Sequence, residues 1–553
     1  MPLWRIFSVE YHFKIPHYQR PYAWETSQAA ELLGDLSDAL DRDSAEPYFL
    51  GSVVLIKQQH EIPDSEVVDG QQRLTTLTVL FAILAELAIE PGVRDHFRNF
   101  ITEPGNILLG REAKPRLEVR PRDREFFRRY VQTAGRLGDL LALPDSALAN
   151  DSQVAVRDNA RLLHDALLDW EPERRLRLGQ LLAQRTYLVM VSTPDLASAH
   201  RIFSVMNARG RDLSPADVLK SDVIGQIRDN WRKDYARKWE DAEENLGRAE
   251  FVNLLLDIRM IFGKRRAREE LLKEFPRQVL ARFGPAQMHD FIDDEIVPFS
   301  RAYCEIRDAS YAPQDPESVE INAWFRRLAQ LDNGDWRAPA LWALRYHHDD
   351  RNFLCRFLER LERLAASMFI RRVYTSPRVD RYARLLTELD SGAGLDASAF
   401  ELGKDEIVET AALLNGDIYL ANSRVRRYVL LRLDELISAV GNPIFQPKTI
   451  TIEHVLPQHP RLDAAWRTLF TDGERALWTN RLANLILLNR IKNSAAGTFE
   501  FDEKKKRYFS GRTGVTTFAL TVEVLNERSW TPQVLEQRQS RLLGRLMEAW
   551  QLS

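Results

Sequence analysis

Cysteine is almost missing from this chain: Cys304 and Cys355 are the only two in 553 residues. That excludes a disulfide framework and a thiolate zinc site, and a reducing, cytoplasmic location is expected. Long apolar runs are missing too. The longest, Leu77 to Ile89, carries Thr78 and Glu86 and is shorter than a bilayer span, so no membrane partner is expected. Met1 to Glu10 lacks a basic segment followed by an apolar one, so no signal peptide is expected. Charge of one sign is also lacking: 77 Lys and Arg against 80 Asp and Glu leave −3. Nucleic-acid contacts must therefore come from local patches. There is no fixed-period repeat and no low-complexity linker. What remains is ordinary globular composition, 44% hydrophobic and 28% charged, with length for about three domains.

The first part reads as mixed α/β. The β-branched run Phe49 to Ile56 and the shorter Glu66 to Val68 are strand candidates, and a helix is expected from Leu74 to about Ile89, ending at Pro91-Gly92. Arg185 to Ser192 is another strand candidate, followed by a helix around Ala197 to Met206. From about Asp222 to Asp390 the pattern is helical and charged, with amphipathic segments such as Phe353 to Met368 whose charges read as solvated faces. A last unit carries β signals at Thr449 to Ile452 and Leu485 to Leu488. The expected class is α+β, multidomain and mostly helical, with domains at 1–225, 226–400 and 401–553.

Two constellations carry chemistry. In VVDGQQRLTTL a short strand runs through Asp69 and Gly70 into a helix. The free N–H groups at such a helix start suit a phosphate, Gly70 permits close approach, and Arg73 adds a bidentate cation. Asp69 suits a metal or a ribose. Equally, this is an ordinary strand–turn–helix with Arg73 in a salt bridge. Upstream, IPHYQRPYAW offers Tyr18, Gln19 and Arg20 as a base-stacking or phosphate-contacting wall, or a proline loop anchored by its aromatics. In FSVMNARGRDLSPAD, Ser214, Pro215 and Asp217 form a helix start, while Asn207, Arg209 and Gly210 precede it in a loop that could face a ligand.

The second constellation is TIEHVLPQ, which sets Glu453 beside His454 at a strand end, followed by Asn484 and Asn493. A neutral imidazole accepts a proton from water, and carboxylate and amide oxygens suit a hard cation. A single histidine is more often packed than catalytic, but the grouping favours chemistry. His459 is a nearby competitor that reads as loop. From Arg481 to Thr513 eight Lys and Arg face three acids, a basic patch containing Arg490, Lys492 and Lys505. Arg111 to Arg129 and Lys264 to Arg268 are weaker basic stretches.

The motifs YQRPYAW, YFLGSVVLI, VVDGQQRLTTL and FSVMNARGRDLSPADVLKSDVI together resemble the N-terminal domain of GmrSD-type restriction proteins, a ParB/sulfiredoxin-like α/β fold. The resemblance implies nucleotide binding and hydrolysis (of GTP, ATP or CTP) at Gly70 and Arg73, with Asp69, Gln71, Gln72 and the Tyr18–Arg20 wall beside them. EHVLPQ, RLANLILLNRIKNSAAGTF, Lys505 and Tyr508 resemble the ββα-metal HNH nucleases that end such proteins. This implies His454 as general base, Asn484 orienting its ring, and Glu453 with Asn493 holding Mg2+ (or Mn2+). The chain departs from the wider HNH pattern in having Glu453 where Asp is common and Asn493 where His is usual. Both keep oxygen donors. The function implied is restriction of foreign, modified double-stranded DNA, with a homo-oligomer possible. The alternatives are a nucleotide-gated DNA-binding protein without cleavage, and a nuclease triggered by phosphorothioate DNA.

Overall fold

Strand β3, Asp64–Asp69, lies at the centre of a five-stranded mixed sheet. With β1 (His12–Lys14), β2 (Tyr48–Ile56), β4 (Leu117–Glu118) and β5 (Thr186–Thr193), the strand order is β4-β1-β3-β2-β5. β1 runs parallel to β3 and β4, β2 runs antiparallel to β3, and β2 runs parallel to β5. The computed structural model describes the chain except for 17–18, 43–45, 58–61, 106–107, 109, 111, 195–213, 312–314, 439–449, 490–497, 510–517 and 553. It is mostly helical, as expected, and falls into two units, Met1–Arg237 and Lys238–Ser553. Among the described residues no helix is long and apolar enough to cross a membrane.

In the first unit, consecutive Val53, Val54 and Leu55 are all buried, so β2 is covered on both faces. Helices α1 (Thr26–Asp41), α2 (Gln71–Glu86) and α3 (Asp151–Leu168) build the helical layer. α2 is buried nearly all round, as a central helix is. Its threonines tolerate this because Thr76 and Thr78 donate their hydroxyls to the carbonyls of Gln72 and Leu74, 2.9 and 2.8 Å away. Sequence reasoning located β2, β3, β5 and α2 within a few residues but gave no sign of β1, β4 or α1. The expected helix around Ala197 to Met206 lies outside the described residues.

The second unit is helical before its strands. Helix α4, Arg351–Ile370, is capped by Asp350, whose carboxylate accepts from the Phe353 N–H at 3.0 Å. Leu354, Phe357, Leu358, Leu361 and Leu364 line its buried face at helical spacing. Glu362 shares that face, fully buried, and is compensated by the Trp550 indole N–H at 3.0 Å, the Tyr428 hydroxyl and Arg432 at 3.6 Å. These partners tie α4 to helices α5 (Ser423–Ile437) and α7 (Pro532–Ala549).

Glu295, in the turn Phe291–Ile296, is less well served: its nearest cation, Arg345, is 3.9 Å away and Oε2 has no hydrogen-bond partner. Burial pushes its carboxyl up to about 7 from 4.5. The folded protein thus holds a proton there that the unfolded chain has released. Stability from this group is complete below pH 4.5 and is lost as pH rises through about 7. Glu295→Gln is expected to raise the unfolding temperature at pH 8 while leaving it unchanged at pH 4.5. An equal effect at both pH values would refute this.

Near the C-terminus β6, Ile450–His454, pairs antiparallel with β7, Leu485–Asn489, setting His454 opposite Leu485. Helix α6, Phe501–Phe509, follows. Val455, Leu456, Trp466, Ile486, Leu488, Phe501, Tyr508 and Trp530 form one apolar cluster beneath the pair.

Candidate functional sites

At the end of β3 the chain turns through Gly70, whose φ of +94° lies in the left-handed region. A Cβ here would stand 2.7 Å from Val53 Cγ2 and 3.2 Å from Val53 Cα, so both the backbone angle and the neighbouring strand require glycine. Gly70→Ala is expected to cost about 2 kcal/mol and to lower the unfolding temperature by several degrees. An unchanged transition would show that the turn relaxes freely.

Arg73, in the first turn of α2, lays its guanidinium on Gly51 and donates from Nη1 to the Ser52 carbonyl at 3.1 Å. Gly51 has φ +115°, and a Cβ would lie 3.1 Å from the guanidinium carbon. It is the seat that sequence reasoning missed, marked only by a glycine inside a β-branched run. Asp69 lies between Arg73 and Arg20 in charge terms. Burial raises its carboxyl, against the opposing pull of the Gly70 N–H, Arg73 and Arg20.

The glutamines brace the upstream loop. Gln72 accepts from the Ala23 and Trp24 N–H groups at 2.8 and 3.2 Å and donates to the Pro21 carbonyl at 3.0 Å. Gln71 donates to the Arg20 carbonyl at 3.1 Å, and Gln19 to the Val68 carbonyl at 2.9 Å. Their amides therefore position the loop against the turn. The cavity behind them, lined by Arg20, Tyr22, Gln71, Gln72 and Thr75, is about 20 Å³, room for a single water. Tyr18, Asn207, Arg209 and Gly210 lie outside the described residues. The helix start at Ser214 is as expected, with the Ser214 N–H on the Asp217 carboxylate at 3.0 Å.

At the second site, strand alternation gives Glu453 and His454 different partners. Glu453 meets α6: Lys504 Nζ donates to its Oε1 at 2.8 Å and to the His454 carbonyl at 2.6 Å, and Tyr508 bears on the same carboxylate. Burial raises the Glu453 carboxyl, and Lys504 offsets part of that. His454 instead meets Tyr419, ring centroids 4.1 Å apart and planes at 67°. Burial pushes its imidazole down to about 4. Lys504 and Arg426 act in the same direction and the Asn480 amide opposes them. The ring is therefore neutral at pH 7, and its Nε2 is buried without a hydrogen-bond partner. Neutrality is the protonation state a general base requires, and the covered nitrogen would act on water only once the site opens to it.

Asn484 does not orient that ring. Its amide accepts from Leu456 N–H at 2.7 Å and Trp530 Nε1 at 3.1 Å, and donates to the Leu456 and Thr479 carbonyls, both at 2.9 Å. All four hydrogen-bonding positions are spent locking the turn that follows His454. Lys505 is likewise engaged elsewhere, donating to the Glu527 carbonyl at 2.7 Å over the Phe501 ring. Its neighbour Lys504 is the lysine that faces the site. Helical spacing from Phe501 through Lys504 to Tyr508 was the available signal. Arg490, Lys492 and Asn493 lie outside the described residues. Tyr419, Arg426 and Asn480 were missed, because they come from chain beyond the motif.

Glu453 is a carboxylate, the donor a hard divalent cation prefers, but its Oε1 is already held by the buried Lys504 ammonium, with which an ion would have to share it. Among the described residues no group of three or more His, Cys, Asp or Glu could hold a metal.

The GmrSD restriction endonuclease N-terminal domain model matches residues 3–224, and the GmrSD restriction endonuclease C-terminal domain model matches 404–545. The chain belongs to the GmrSD restriction endonuclease family. The Gly70 turn falls inside the first match, and Tyr419, His454 and Lys504 fall inside the second. No curated protein matches the chain. Membership makes it a restriction endonuclease with DNA as its substrate.

Proposed function

We propose that this GmrSD protein is a nucleotide-regulated, metal-dependent endonuclease that restricts foreign, modified double-stranded DNA. The observation that carries the reading is His454: a buried, neutral imidazole with an unpartnered Nε2 at the end of β6, inside the matched C-terminal domain. In this reading the β6–β7–α6 unit is the ββα nuclease module. His454 takes the proton from a water that attacks the scissile phosphorus, and the bond to the 3′ oxygen breaks. Tyr419 and Asn480 hold the ring. Asn484 and Lys504 fix the strand end on either side of it. Mg2+ or Mn2+, held by Glu453 with Asn493, would supply positive charge to the phosphate and the leaving oxygen. Arg490 and Lys492 would contact the DNA backbone.

The N-terminal sheet is read as the ParB/sulfiredoxin-like nucleotide domain. An NTP would place its phosphates at the N–H groups following Gly70, with Asp69 and Arg73 beside them and Tyr18, Gln19 and Arg20 as a wall braced by Gln71 and Gln72. Hydrolysis there would regulate cleavage within the same chain.

The test is cleavage of plasmid and phage DNA in Mg2+, with and without GTP, ATP or CTP. Unmodified, base-modified and phosphorothioate substrates are compared. Nucleotide-dependent cutting of one modified class is the expected result. Nucleotide-dependent binding with no nicking of any substrate would replace this reading with that of a DNA-binding protein.

A further inference from the structure

Three stretches of chain outside the EHVLPQ motif close around His454. The turn Ile418–Leu420 supplies Tyr419, the start of α5 supplies Arg426, and the segment after Asp472–Trp478 supplies Asn480. They are tied together: Tyr419 N–H donates to the Asn480 carbonyl at 3.0 Å, and Arg426 Nη1 donates to the Tyr419 carbonyl. The Arg426 guanidinium lies over the Tyr419 ring, 4.3 Å from its centroid, while the imidazole lies 4.1 Å from the same centroid. Sharing that ring holds the guanidinium carbon within about 8.4 Å of the imidazole centre.

Arg426 belongs to the smaller group of arginines in this unit that carry no carboxylate ion pair among the described residues. Most arginines of this unit meet a carboxylate: Arg327 on Glu435 at 2.7 Å, Arg371 on Glu406 at 2.9 Å, Arg538 on Glu523 at 2.6 Å. Among the described residues the one hydrogen bond of Arg426 is to the Tyr419 carbonyl, and its Nε is buried without a partner. A half-buried guanidinium without a counter-ion costs free energy that an anion would recover. Neighbouring cations are committed elsewhere, Lys504 to Glu453 and Lys505 to the Glu527 carbonyl. The span also fits. A base, its water and a phosphate in near-attack geometry occupy about 3 Å from base to water and about 3–3.5 Å from water to phosphorus. A guanidinium-to-oxygen contact of about 2.8 Å closes the circuit with the path turning at the phosphorus, so that a non-bridging oxygen points back toward Arg426.

We propose that Arg426 is a substrate-binding residue of the nuclease site, donating to a non-bridging oxygen of the scissile phosphodiester beside His454. The inference rests on the nuclease reading above. The guanidinium would already be in place where negative charge builds as water attacks, and Tyr419 would keep it oriented without neutralising it.

The test uses full-length protein, Mg2+ and a DNA that the wild type cuts. Arg426→Met keeps the alkyl packing on Tyr419 and removes the charge. It is expected to lower kcat about 10²–10³-fold, with a change in KM of only a few-fold and an unaltered unfolding temperature. Arg426→Lys, which keeps charge but loses the fork, is expected to fall between the two. If the methionine variant is unstable, the lysine variant decides. A lysine variant that folds normally yet cuts within threefold of wild type, or as poorly as His454→Ala, overturns the proposal. So does Arg426→Met cutting within threefold of wild type while His454→Ala is inactive. If His454→Ala also cuts normally, the nuclease reading of the site fails instead.

Discussion

Replacing His454 with alanine is expected to lower DNA cleavage by at least about 10³-fold while leaving DNA binding and the unfolding temperature nearly unchanged. The size of the effect follows from the surroundings. No second base stands by: Glu453, the adjacent residue, is ion-paired with Lys504, and Tyr419 offers a ring rather than a proton acceptor. The Asn484 amide is fully engaged with Leu456, Thr479 and Trp530. His459, five residues on, is exposed and beyond Pro457, so His459→Ala should cut at the wild-type rate. The pair of variants separates a histidine at the reacting centre from a generally basic, histidine-containing patch. Equal loss in both, or loss in neither, would remove His454 from the reaction.

What could be read from the amino-acid order, and what could not, divides along a physical line. Gly70 was legible because a strand running into a helix through one glycine needs a left-handed residue, and the structure has φ +94° there. The role of Gly51 was not, since it depends on the register that brings β2 against the start of α2. The β-branched run ending in Glu453 and His454 announced a strand end. That the two side chains part company follows from the two-residue period of a strand and was also available. The part played by Lys504 was a matter of helical phase: Phe501 and Tyr508 face the core, and Lys504 shares their face, whereas Lys505 reads in the sequence only as one cation of a basic patch. Asn484 was beyond reach, because Trp530 lies 46 residues away and only the folded chain shows that its indole takes the amide oxygen. Tyr419, Arg426 and Asn480 gave no signal at all. Isolated residues far from a motif reach its site only through helix packing.

Lys504→Met is expected to destabilise the second unit by about 3–5 kcal/mol, because it leaves the Glu453 carboxylate buried with its cation gone. Lys504 is fully buried and Glu453 nearly so, so water cannot replace the lost partner without opening the contact between α6 and β6. The same lysine also donates to the His454 carbonyl, so the end of β6 loses an anchor together with the charge balance. The companion variant Glu453→Leu, made in the Lys504→Met background, should recover most of the loss. An apolar pair of similar volume avoids the desolvation that the ion pair must offset. The pH dependence has a definite sign. Burial already raises the Glu453 carboxyl, and removing Lys504 takes away the largest influence that lowers it. The stranded group can then escape its penalty by taking a proton. The single variant should therefore lie closest to wild type below about pH 4.5 and fall furthest behind at pH 8, where the unfolded chain has released that proton. Urea unfolding at both pH values measures this directly. A deficit that is the same at pH 4.5 and pH 8, or one that the double variant fails to recover, would mean that packing of the lysine stem rather than its charge secures the strand end.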